Sequence, residues 1–219
     1  MTQTADTPTL TARLDDSVAH LATLAPAELL GVLKAEQDRL VATDDATGRV
    51  AVGDVFPQAL LADALGNRVP VVDGPTVVVF YRGAWCPFCN VALGAYQREV
   101  LPELAERGVR FIAVSPQGPS GTADIASTND LTFPVLTDSG SELAHVLGLD
   151  FDLADDVSEV HRALGNDFSS INESGEWRLP RPTVLVVDEQ RVVRWVDVQA
   201  DYTRRTEPEA ILAAVRALG

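Results

Sequence analysis

The sequence contains few residues that could hold a metal ion. It has two cysteines and three histidines among 219 residues. The histidines are His20, His145 and His161, and their spacing relative to the cysteines matches no familiar zinc finger or ribbon. The sequence therefore implies no bound cofactor, although a module that holds metal through its cysteine pair remains an alternative.

Long apolar segments and basic patches are also missing. No stretch approaches the roughly 20 apolar residues of a membrane span, and residues 1–6 lack the basic and apolar regions of a secretory signal. The formal net charge of −15 opposes a phosphate backbone. We therefore expect no membrane and no nucleic acid as partners, and we expect a cytoplasmic protein whose thiols are kept reducible.

Cys86 and Cys89 form a C-x-x-C pair directly after the apolar run 77–80. The run predicts a strand buried on both faces, and Pro87 with the pattern after it predicts the start of a helix. A helix N-terminus carries partial positive charge and unpaired N–H groups, so the pKa of a thiol there can fall from about 8.5 to about 3.5–7.5. This arrangement indicates thiol–disulfide exchange or peroxide reduction.

Three structural explanations compete with a redox role for the pair. The thiols could pack as small apolar residues, because free cysteine is often buried. They could be half of a zinc site, which would need two further ligands. They could form a structural disulfide, but a bridge between residues three positions apart closes too small a loop to stabilise much. The strand before the pair and the helix after it favour the redox interpretation.

Three segments of the chain resemble one known family. They are Val52-Gly53-Asp54-Val55-Phe56-Pro57, the turn from Phe80 to Cys89, and the strand Arg181 to Asp188. Over roughly residues 52–198 the chain is similar to the thioredoxin-like superfamily, and specifically to its peroxiredoxin-like branch of alkyl hydroperoxide reductases and thiol-specific antioxidant proteins. The resemblance implies a thioredoxin-like α/β fold, in which helices flank a central, mostly parallel sheet with an N-terminal hairpin.

The resemblance gives the two cysteines different roles in two alignments. On the peroxiredoxin pattern P-x-x-x-T-x-x-C, Arg82 takes the proline position, Cys86 the threonine position and Cys89 the position of the nucleophile. On the thioredoxin pattern W-C-x-x-C, with Trp85 as the tryptophan, Cys86 is the exposed nucleophile and Cys89 resolves it. A thiol is a weaker hydrogen-bond donor than the threonine hydroxyl that it replaces. Which sulfur reacts first stays open at this point.

The segment Arg181-Pro182-Thr183 forms a second candidate constellation. The resemblance implies that Pro182 is a cis-proline facing the cysteines and that Arg181 lies beside the reactive sulfur. A guanidinium there would favour the thiolate and could hydrogen-bond a hydroxide leaving group. Arg82 is the alternative for this role. We expect Arg82, Trp85, Pro87 and Pro182 to contact the substrate.

The periodicity divides the chain into two parts. Helical spacing predicts an N-terminal arm over residues 1–48, and residues 49–219 form the redox domain, with an insertion at about 149–180. The apolar face of the arm either packs on its own domain or forms a homodimer contact. The insertion is acidic and rich in turn residues, which is typical of a lid or a partner surface. We expect His161 within it to be exposed or half-buried.

We therefore predict a peroxiredoxin-like thiol oxidoreductase that reduces peroxides through Cys86 and Cys89. An external reductant, either a thioredoxin-like dithiol protein or two equivalents of a low-molecular-weight thiol, would regenerate the pair. A thioredoxin-like enzyme that reduces protein disulfides is the first alternative. A non-catalytic module that binds metal through C-x-x-C is the second.

Overall fold

The strand that leads to the cysteine pair, Thr76–Phe80, lies inside a seven-stranded sheet. The computed structural model describes residues 8–218. The strands of this part of the chain are β1 (Leu60–Ala62), β2 (Arg68–Pro70), β3 (Thr76–Phe80), β4 (Arg110–Ser115), β5 (Val135–Thr137), β6 (Asp150–Asp152), β7 (Arg178–Pro180), β8 (Thr183–Val187) and β9 (Val193–Val198). The larger sheet has the order β2-β1-β5-β4-β3-β8-β9, and β6 pairs with β7 in a second sheet.

Helices pack on both faces of the larger sheet. Those of the described residues are α1 (Leu10–Leu24), α2 (Ala27–Ala42), α3 (Pro87–Glu99), α4 (Leu101–Glu106), α5 (Pro119–Thr128), α6 (Glu142–Val146), α7 (Asp155–Ala163), α8 (Phe168–Ile171) and α9 (Pro208–Arg216), with a short 3-10 helix (Ser139–Ser141) before α6. No helix among residues 8–218 combines the length and the apolar character needed to cross a bilayer.

Strand β3 is buried along its whole length, as its apolar run predicts. Its side chains alternate between two cores. Val77 and Val79 join the core that contains α1, α3 and α9, whereas Val78 and Phe80 join the core that contains α6. The strand therefore ends at a fixed point in the interior, and the cysteine turn begins there.

The sheet is mixed, whereas the sequence led us to expect a mostly parallel one. Parallel pairing joins β3 to β4 and β4 to β5, and the remaining pairs are antiparallel. The predicted N-terminal hairpin is present as β1 and β2, and β8 and β9 form a second hairpin. Short connections can join only antiparallel strands, since a parallel pair needs a crossover of about a dozen residues or more. Two hairpins at the sheet edges therefore make it mixed.

The two predicted arm helices are present as α1 and α2, and residues 1–7 of the predicted arm lie outside the described residues. Leu10 and Leu14 of α1 are fully buried in the core beneath α3. The carboxylate of Glu207 accepts hydrogen bonds from the backbone N–H groups of Leu10 and Thr11, at 3.0 and 2.8 Å. An anion stabilises a helix N-terminus in this position. The arm therefore packs on its own domain, and a homodimer contact through its outer surface stays a prediction.

The insertion at 149–180 is folded, although its composition suggested an irregular loop. Strands β6 and β7 pair through its two ends, and α7 and α8 lie between them. Leu153, Val157 and Phe168 form a small core with Trp85 packed against it. His161 is only 4% exposed, because α7 turns its imidazole toward Trp85 and Phe168. Our expectation of an exposed or half-buried histidine is therefore wrong.

Leu14→Ala tests whether the arm belongs to the core of its own chain. We expect the free energy of unfolding to fall by about 2–5 kcal/mol, because the substitution leaves a cavity in a closed core. Val18→Ala on the same helix is the control; Val18 is 42% exposed, so its truncation should cost well under that amount. Urea unfolding measures both variants. Equal small losses would mean that the arm is only loosely docked.

Candidate active site

The cysteine turn connects β3 to α3 and is shaped by local chemistry. Cys86 is the N-cap residue of α3, and Pro87 occupies the first helical turn, where a missing N–H group costs nothing. The N–H groups of Cys89 and Asn90 donate to the carbonyl oxygen of Cys86 at 3.1 and 3.2 Å. Neither cysteine is in a disulfide, and both lie at the start of one helix. The predicted arrangement of strand, C-x-x-C turn and helix is therefore present.

A buried glutamine fixes the path of this turn. Gln117 Oε1 accepts from the backbone N–H of Ala84 at 2.7 Å, and Gln117 Nε2 donates to the hydroxyl of Tyr81 at 2.7 Å. Gly83 has φ of +152°, and a Cβ there would lie 2.3 Å from Nε1 of Trp85. Only glycine lets the indole fold back over the turn. Gln117 and Gly83 thus position Trp85 and the first cysteine.

Arg205 is the guanidinium that contacts the sulfurs. Its Nη2 lies 3.0 Å from Sγ of Cys89 and 3.7 Å from Sγ of Cys86. Its Nη1 donates to the carbonyl oxygens of Tyr202 and Arg204 at 2.7 and 2.5 Å. The side chain is buried, and no salt bridge within residues 8–218 joins it to a carboxylate. A buried cation needs a compensating anion, and a cysteine thiolate is the group in place to provide it.

Cys89 is the sulfur whose surroundings favour the thiolate. Burial by itself would raise its pKa, but a hydrogen bond from the Cys86 thiol, the charge of Arg205 and the backbone N–H of Arg82 at 3.4 Å together hold the pKa of Cys89 well below the usual range. Burial raises the pKa of the Cys86 thiol, and its hydrogen bond to Cys89 raises it further. These contacts therefore favour the thiolate on Cys89 and the thiol on Cys86.

The structure does not bring Arg181 to the sulfurs. Its Nη1 donates to the carbonyl oxygen of Asp150 at 2.9 Å, and its Nε lies 3.4 Å from Oδ1 of Asp44. These partners belong to β6 and to the segment after α2, so the side chain is anchored on the insertion and the arm. The contact that the resemblance implied for Arg181 is made by Arg205 instead.

Pro182 lies beside the end of β3, because Thr183 pairs with Phe80 in the sheet register. It is buried, as a residue facing the cysteine turn would be. No cis peptide bond occurs among residues 8–218, so the bond before Pro182 is trans. Pro182 thus stands near the end of the strand that leads to the cysteines, and the expected cis bond is absent. Whether Pro182 contacts a substrate stays a prediction.

The remaining predicted residues line one cleft, here called the arm cleft, which separates α1 and α2 from the cysteine turn. It has a volume of about 460 Å³, and Arg82, Trp85, Cys86 and Pro87 form its floor. The Arg82 guanidinium stacks between the rings of Trp85 and Tyr202, at 4.9 and 4.3 Å. Cys89 lies behind Cys86 and does not line the arm cleft.

Sequence reasoning missed Arg205, although a signal for it existed. Arg204 and Arg205 stand in the connection between the last strand and the last helix. Because β9 is antiparallel to β8 and β8 is antiparallel to β3, the carboxyl ends of β9 and β3 lie at the same edge of the sheet. Functional groups collect at that edge in α/β folds. A search for basic residues in every loop at this edge of the sheet would have found Arg204 and Arg205.

The fold is thioredoxin-like, and the end of its central strand carries a thiol pair beside a buried guanidinium. The model of the AhpC/TSA family matches residues 52–196, well over half of the chain. The chain belongs to this family. Arg205 and both arm helices lie outside the matched residues.

Relatives and solved structures agree with this assignment. One relative is a protein of Mycobacterium tuberculosis (strain H37Rv) that carries the name of a peroxiredoxin. It is 33% identical to this chain over 105 residues, which are 47% of this chain and 66% of the relative. The chain thus matches just under two thirds of the length of that curated relative. Peroxidoxin BcpB from M. tuberculosis superposes with a TM-score of 0.60 at 21% identity, covering 78% of this chain and 99% of that one.

Two further structures share the fold. The peroxiredoxin-like protein from Aquifex aeolicus has a TM-score of 0.62 at 15% identity and covers 78% of this chain and 89% of its own. Reduced Prx3 from Vibrio vulnificus, solved in complex with hydrogen peroxide, has a TM-score of 0.59 at 22% identity and covers 75% and 99%. The resemblance to the peroxiredoxin-like branch and the thioredoxin-like fold are confirmed.

Arg205→Met tests the thiolate contact. Methionine keeps an apolar side chain of similar length but removes the charge, so we expect the pKa of Cys89 to rise from well below the ordinary thiol value of about 8.5 to above it. The ultraviolet absorbance of the thiolate, followed against pH, gives the midpoint. Arg181→Met is the matched control and should leave the midpoint unchanged. A midpoint that moves only in Arg181→Met would return the role to Arg181.

Proposed function

We propose that the chain is a thiol-dependent peroxidase in which Cys89 is the nucleophile and Cys86 the resolving thiol. The observation that carries this proposal is the 3.0 Å contact between Nη2 of Arg205 and Sγ of Cys89. Thiolate, and not thiol, attacks peroxide oxygen, and Cys89 is the sulfur with the lowered pKa. The AhpC/TSA membership and the hydrogen peroxide bound to the Vibrio neighbour support peroxide as the oxidant.

One peroxide oxidises the two cysteines to a disulfide, and the atoms and electrons of this reaction balance. The Cys89 thiolate attacks one peroxide oxygen, the O–O bond breaks, and the products are a Cys89 sulfenic acid and a hydroxide or alkoxide. The leaving oxygen takes the proton of the Cys86 thiol. The Cys86 thiolate then attacks the sulfenic sulfur, forms the Cys86–Cys89 disulfide and expels hydroxide, which solvent protonates.

The guanidinium groups assist this sequence at two points. Arg205 holds the Cys89 thiolate before the attack and hydrogen-bonds the sulfur as its charge moves onto the leaving oxygen. Arg82 lies on the cleft side of the pair, where the leaving oxygen emerges, and it has no carboxylate partner within the described residues. Preorganised cations stabilise developing negative charge without reorganising during the reaction.

An external thiol regenerates the pair. Two electrons from a dithiol convert the disulfide to two thiols and leave the reductant as a disulfide. Only Cys86 faces the arm cleft, so the reductant attacks this sulfur. A low-molecular-weight thiol fits the cleft directly, and a thioredoxin-like protein requires displacement of the arm.

A disulfide reductase that uses Cys86 first is the second candidate. Its support is that Cys86, and not Cys89, lines the arm cleft. One observation opposes it: burial raises the pKa of Cys86 and so disfavours the thiolate that would attack a disulfide. The metal-binding alternative has less support, because no group of three or more His, Cys, Asp or Glu residues converges within the described part of the chain.

Rapid mixing of the reduced protein with hydrogen peroxide tests the proposal. We expect oxidation far faster than that of a free thiol, followed by a Cys86–Cys89 disulfide that mass spectrometry detects. Cys86→Ser should keep one fast turnover and accumulate a sulfenic acid that a dimedone probe traps. Cys89→Ser should lose the fast phase.

The two single variants also separate the candidates. A fast phase retained only in Cys89→Ser would make Cys86 the nucleophile. Slow reaction with peroxide in the native protein, combined with mixed disulfides trapped by Cys89→Ser, would establish the disulfide reductase in place of the peroxidase.

A further inference from the structure

The arm cleft is lined by cations, although the chain as a whole is strongly acidic. The sequence has 32 Asp and Glu residues and a net charge of −15, yet no Asp or Glu is among the described residues that line the cleft. Lys34 and Arg82 line it instead. The side chain of Lys34 is 61% exposed and pairs with Asp38. Arg82 is therefore the cation whose charge has to be balanced inside the cleft.

The Arg82 guanidinium is buried without an anionic partner. The residue is 3% exposed, and within residues 8–218 its side chain makes no hydrogen bond and no salt bridge. Cys89 offers one negative charge nearby, and Nη2 of Arg205 already lies 3.0 Å from that sulfur. Two buried guanidinium groups thus stand beside one thiolate. An unpaired buried cation costs free energy that an anionic ligand would recover.

The surroundings of Arg82 leave the edge of its guanidinium available. The rings of Trp85 and Tyr202 lie against the group, with their centroids 4.9 and 4.3 Å from Cζ. The N–H groups of a guanidinium lie in its plane, where stacked rings do not accept them. Nε1 of Trp85 and both ring nitrogens of His161 are also buried and without a hydrogen-bond partner among the described residues. The floor of the cleft therefore offers several N–H donors to one ligand.

His161 adds a donor to this floor but no charge. Burial lowers the pKa of His161 to about 3, and the charge of Arg82 contributes to the shift. The imidazole is therefore neutral at physiological pH and carries one N–H group. The floor thus has the charge of a single cation, which one negative charge balances.

A carboxylate with an apolar body matches the arm cleft. Its two oxygens fit the fork of one guanidinium and its single charge balances one cation, whereas a phosphate monoester carries a charge of about −1.5 to −2. The volume of about 460 Å³ lies within the roughly 300–1,000 Å³ of small-molecule sites. The walls are apolar and come largely from the arm, with Leu21, Leu24, Leu30, Leu33, Phe88 and Leu164.

We propose that the arm cleft binds a small organic monocarboxylate with an apolar body, and that Arg82 holds the carboxylate. The apolar body lies against Leu21, Leu30 and Leu33. Cys86 also lines the floor, so the bound molecule controls access to this sulfur. The inference goes beyond the proposed function and needs no peroxidase chemistry. Because both would use the donors of Arg82, a bound carboxylate would also slow the proposed reaction with peroxide.

A matched pair of probes tests the charge. The anion 3-phenylpropanoate and the neutral 3-phenylpropanamide have the same apolar body and differ in the group that would meet Arg82. In calorimetric titrations of the reduced native protein, we expect the acid to bind at least about tenfold more tightly, equivalent to about 1.4 kcal/mol. Equal affinities, or no binding of either probe, would overturn the proposal.

Arg82→Met tests which cation holds the acid. We expect this variant to bind the acid no more tightly than the amide. Lys34→Met is the matched control, because an exposed cation paired with Asp38 contributes little and its loss should change the ratio of affinities by less than about twofold. Equal losses in the two variants would mean that general surface charge holds the acid, and the site at Arg82 would be ruled out.

The stability of Arg82→Met gives a readout that needs no ligand. The substitution removes a buried charge and keeps an apolar side chain of similar length, so urea unfolding should show a variant at least as stable as the native protein. A clear loss of stability would show that the protein itself satisfies this guanidinium, against the proposal.

Ala22→Phe tests where the apolar body lies. Ala22 is an exposed residue of α1 that lines the arm cleft, so a phenyl ring there occupies the cleft without entering the core. We expect both probes to bind about tenfold more weakly. Ala19→Phe is the matched control, because Ala19 is exposed on the same helix and does not line the cleft. Unchanged affinities in Ala22→Phe would contradict the assigned location.

A carboxylate of this kind can carry a thiol or lack one, and the oxidised protein separates the two sources. Diamide forms the Cys86–Cys89 disulfide beforehand; two molecules of a thiol then reduce it to two protein thiols and become one small disulfide. Faster reduction by 3-mercaptopropanoate than by 3-mercaptopropanamide, lost in Arg82→Met, would make the ligand a reducing thiol. Equal rates that 3-phenylpropanoate slows would identify a thiol-free carboxylate that shields Cys86.

The remaining outcomes separate this inference from the proposed function. Equal rates of disulfide reduction that 3-phenylpropanoate leaves unchanged would overturn the placement of the carboxylate beside Cys86. Slow reaction of the native protein with hydrogen peroxide would remove the peroxidase and leave the carboxylate site standing.

Discussion

The buried contact between Arg205 and Cys89 is the interaction on which the rest of the site depends. A guanidinium without a carboxylate partner is costly in the interior, and so is an isolated thiolate. Each is stable there because the other is 3.0 Å away. The same contact would make Cys89 reactive. The thiolate that stabilises Arg205 also holds the electron pair that Cys89 would donate to a peroxide. Protonation of Cys89 would leave the cation unpaired, which is why the geometry favours the thiolate so strongly.

The loop that carries Arg205 is fixed by three parts of the fold. The hydroxyl of Tyr202 donates to the carbonyl oxygen of Leu33 in α2, at 2.6 Å. Tyr96 of α3 donates to the carbonyl oxygen of Thr206 at 2.8 Å, and Glu207 receives the first N–H groups of α1. The two arm helices and the cysteine helix thus hold one short loop. Loosening any of these contacts would move the guanidinium relative to the sulfur, so the arm stabilises the site that it also covers.

The parts of the chain outside the residues matched by the family model give the site its shape. Residues 52–196 supply the sheet, the cysteine turn and the insertion, whereas α1, α2 and the Arg205 loop lie outside that match. The arm provides apolar walls and the insertion places His161 and Leu164 opposite them. A site that would be open at a sheet edge becomes a cleft in which Cys86 is nearly inaccessible. The walls of this cleft therefore come largely from helices that carry neither cysteine.

The local features of this protein follow from its sequence alone. Periodicity and turn residues determine the arm helices and the N-terminal hairpin, and C-x-x-C after an apolar strand determines the thiol pair. These features depend on neighbours in the chain, which the sequence displays. The partner of the thiolate depends on which loops meet at one sheet edge, and there Arg181 and Arg205 are equivalent candidates by residue type. Only the tertiary structure separates them, because Asp44 and Asp150 hold Arg181 while the strand directions bring Arg205 across 116 residues of chain to Cys89. The burial of His161 was decided in the same way, by packing between segments that no local pattern connects.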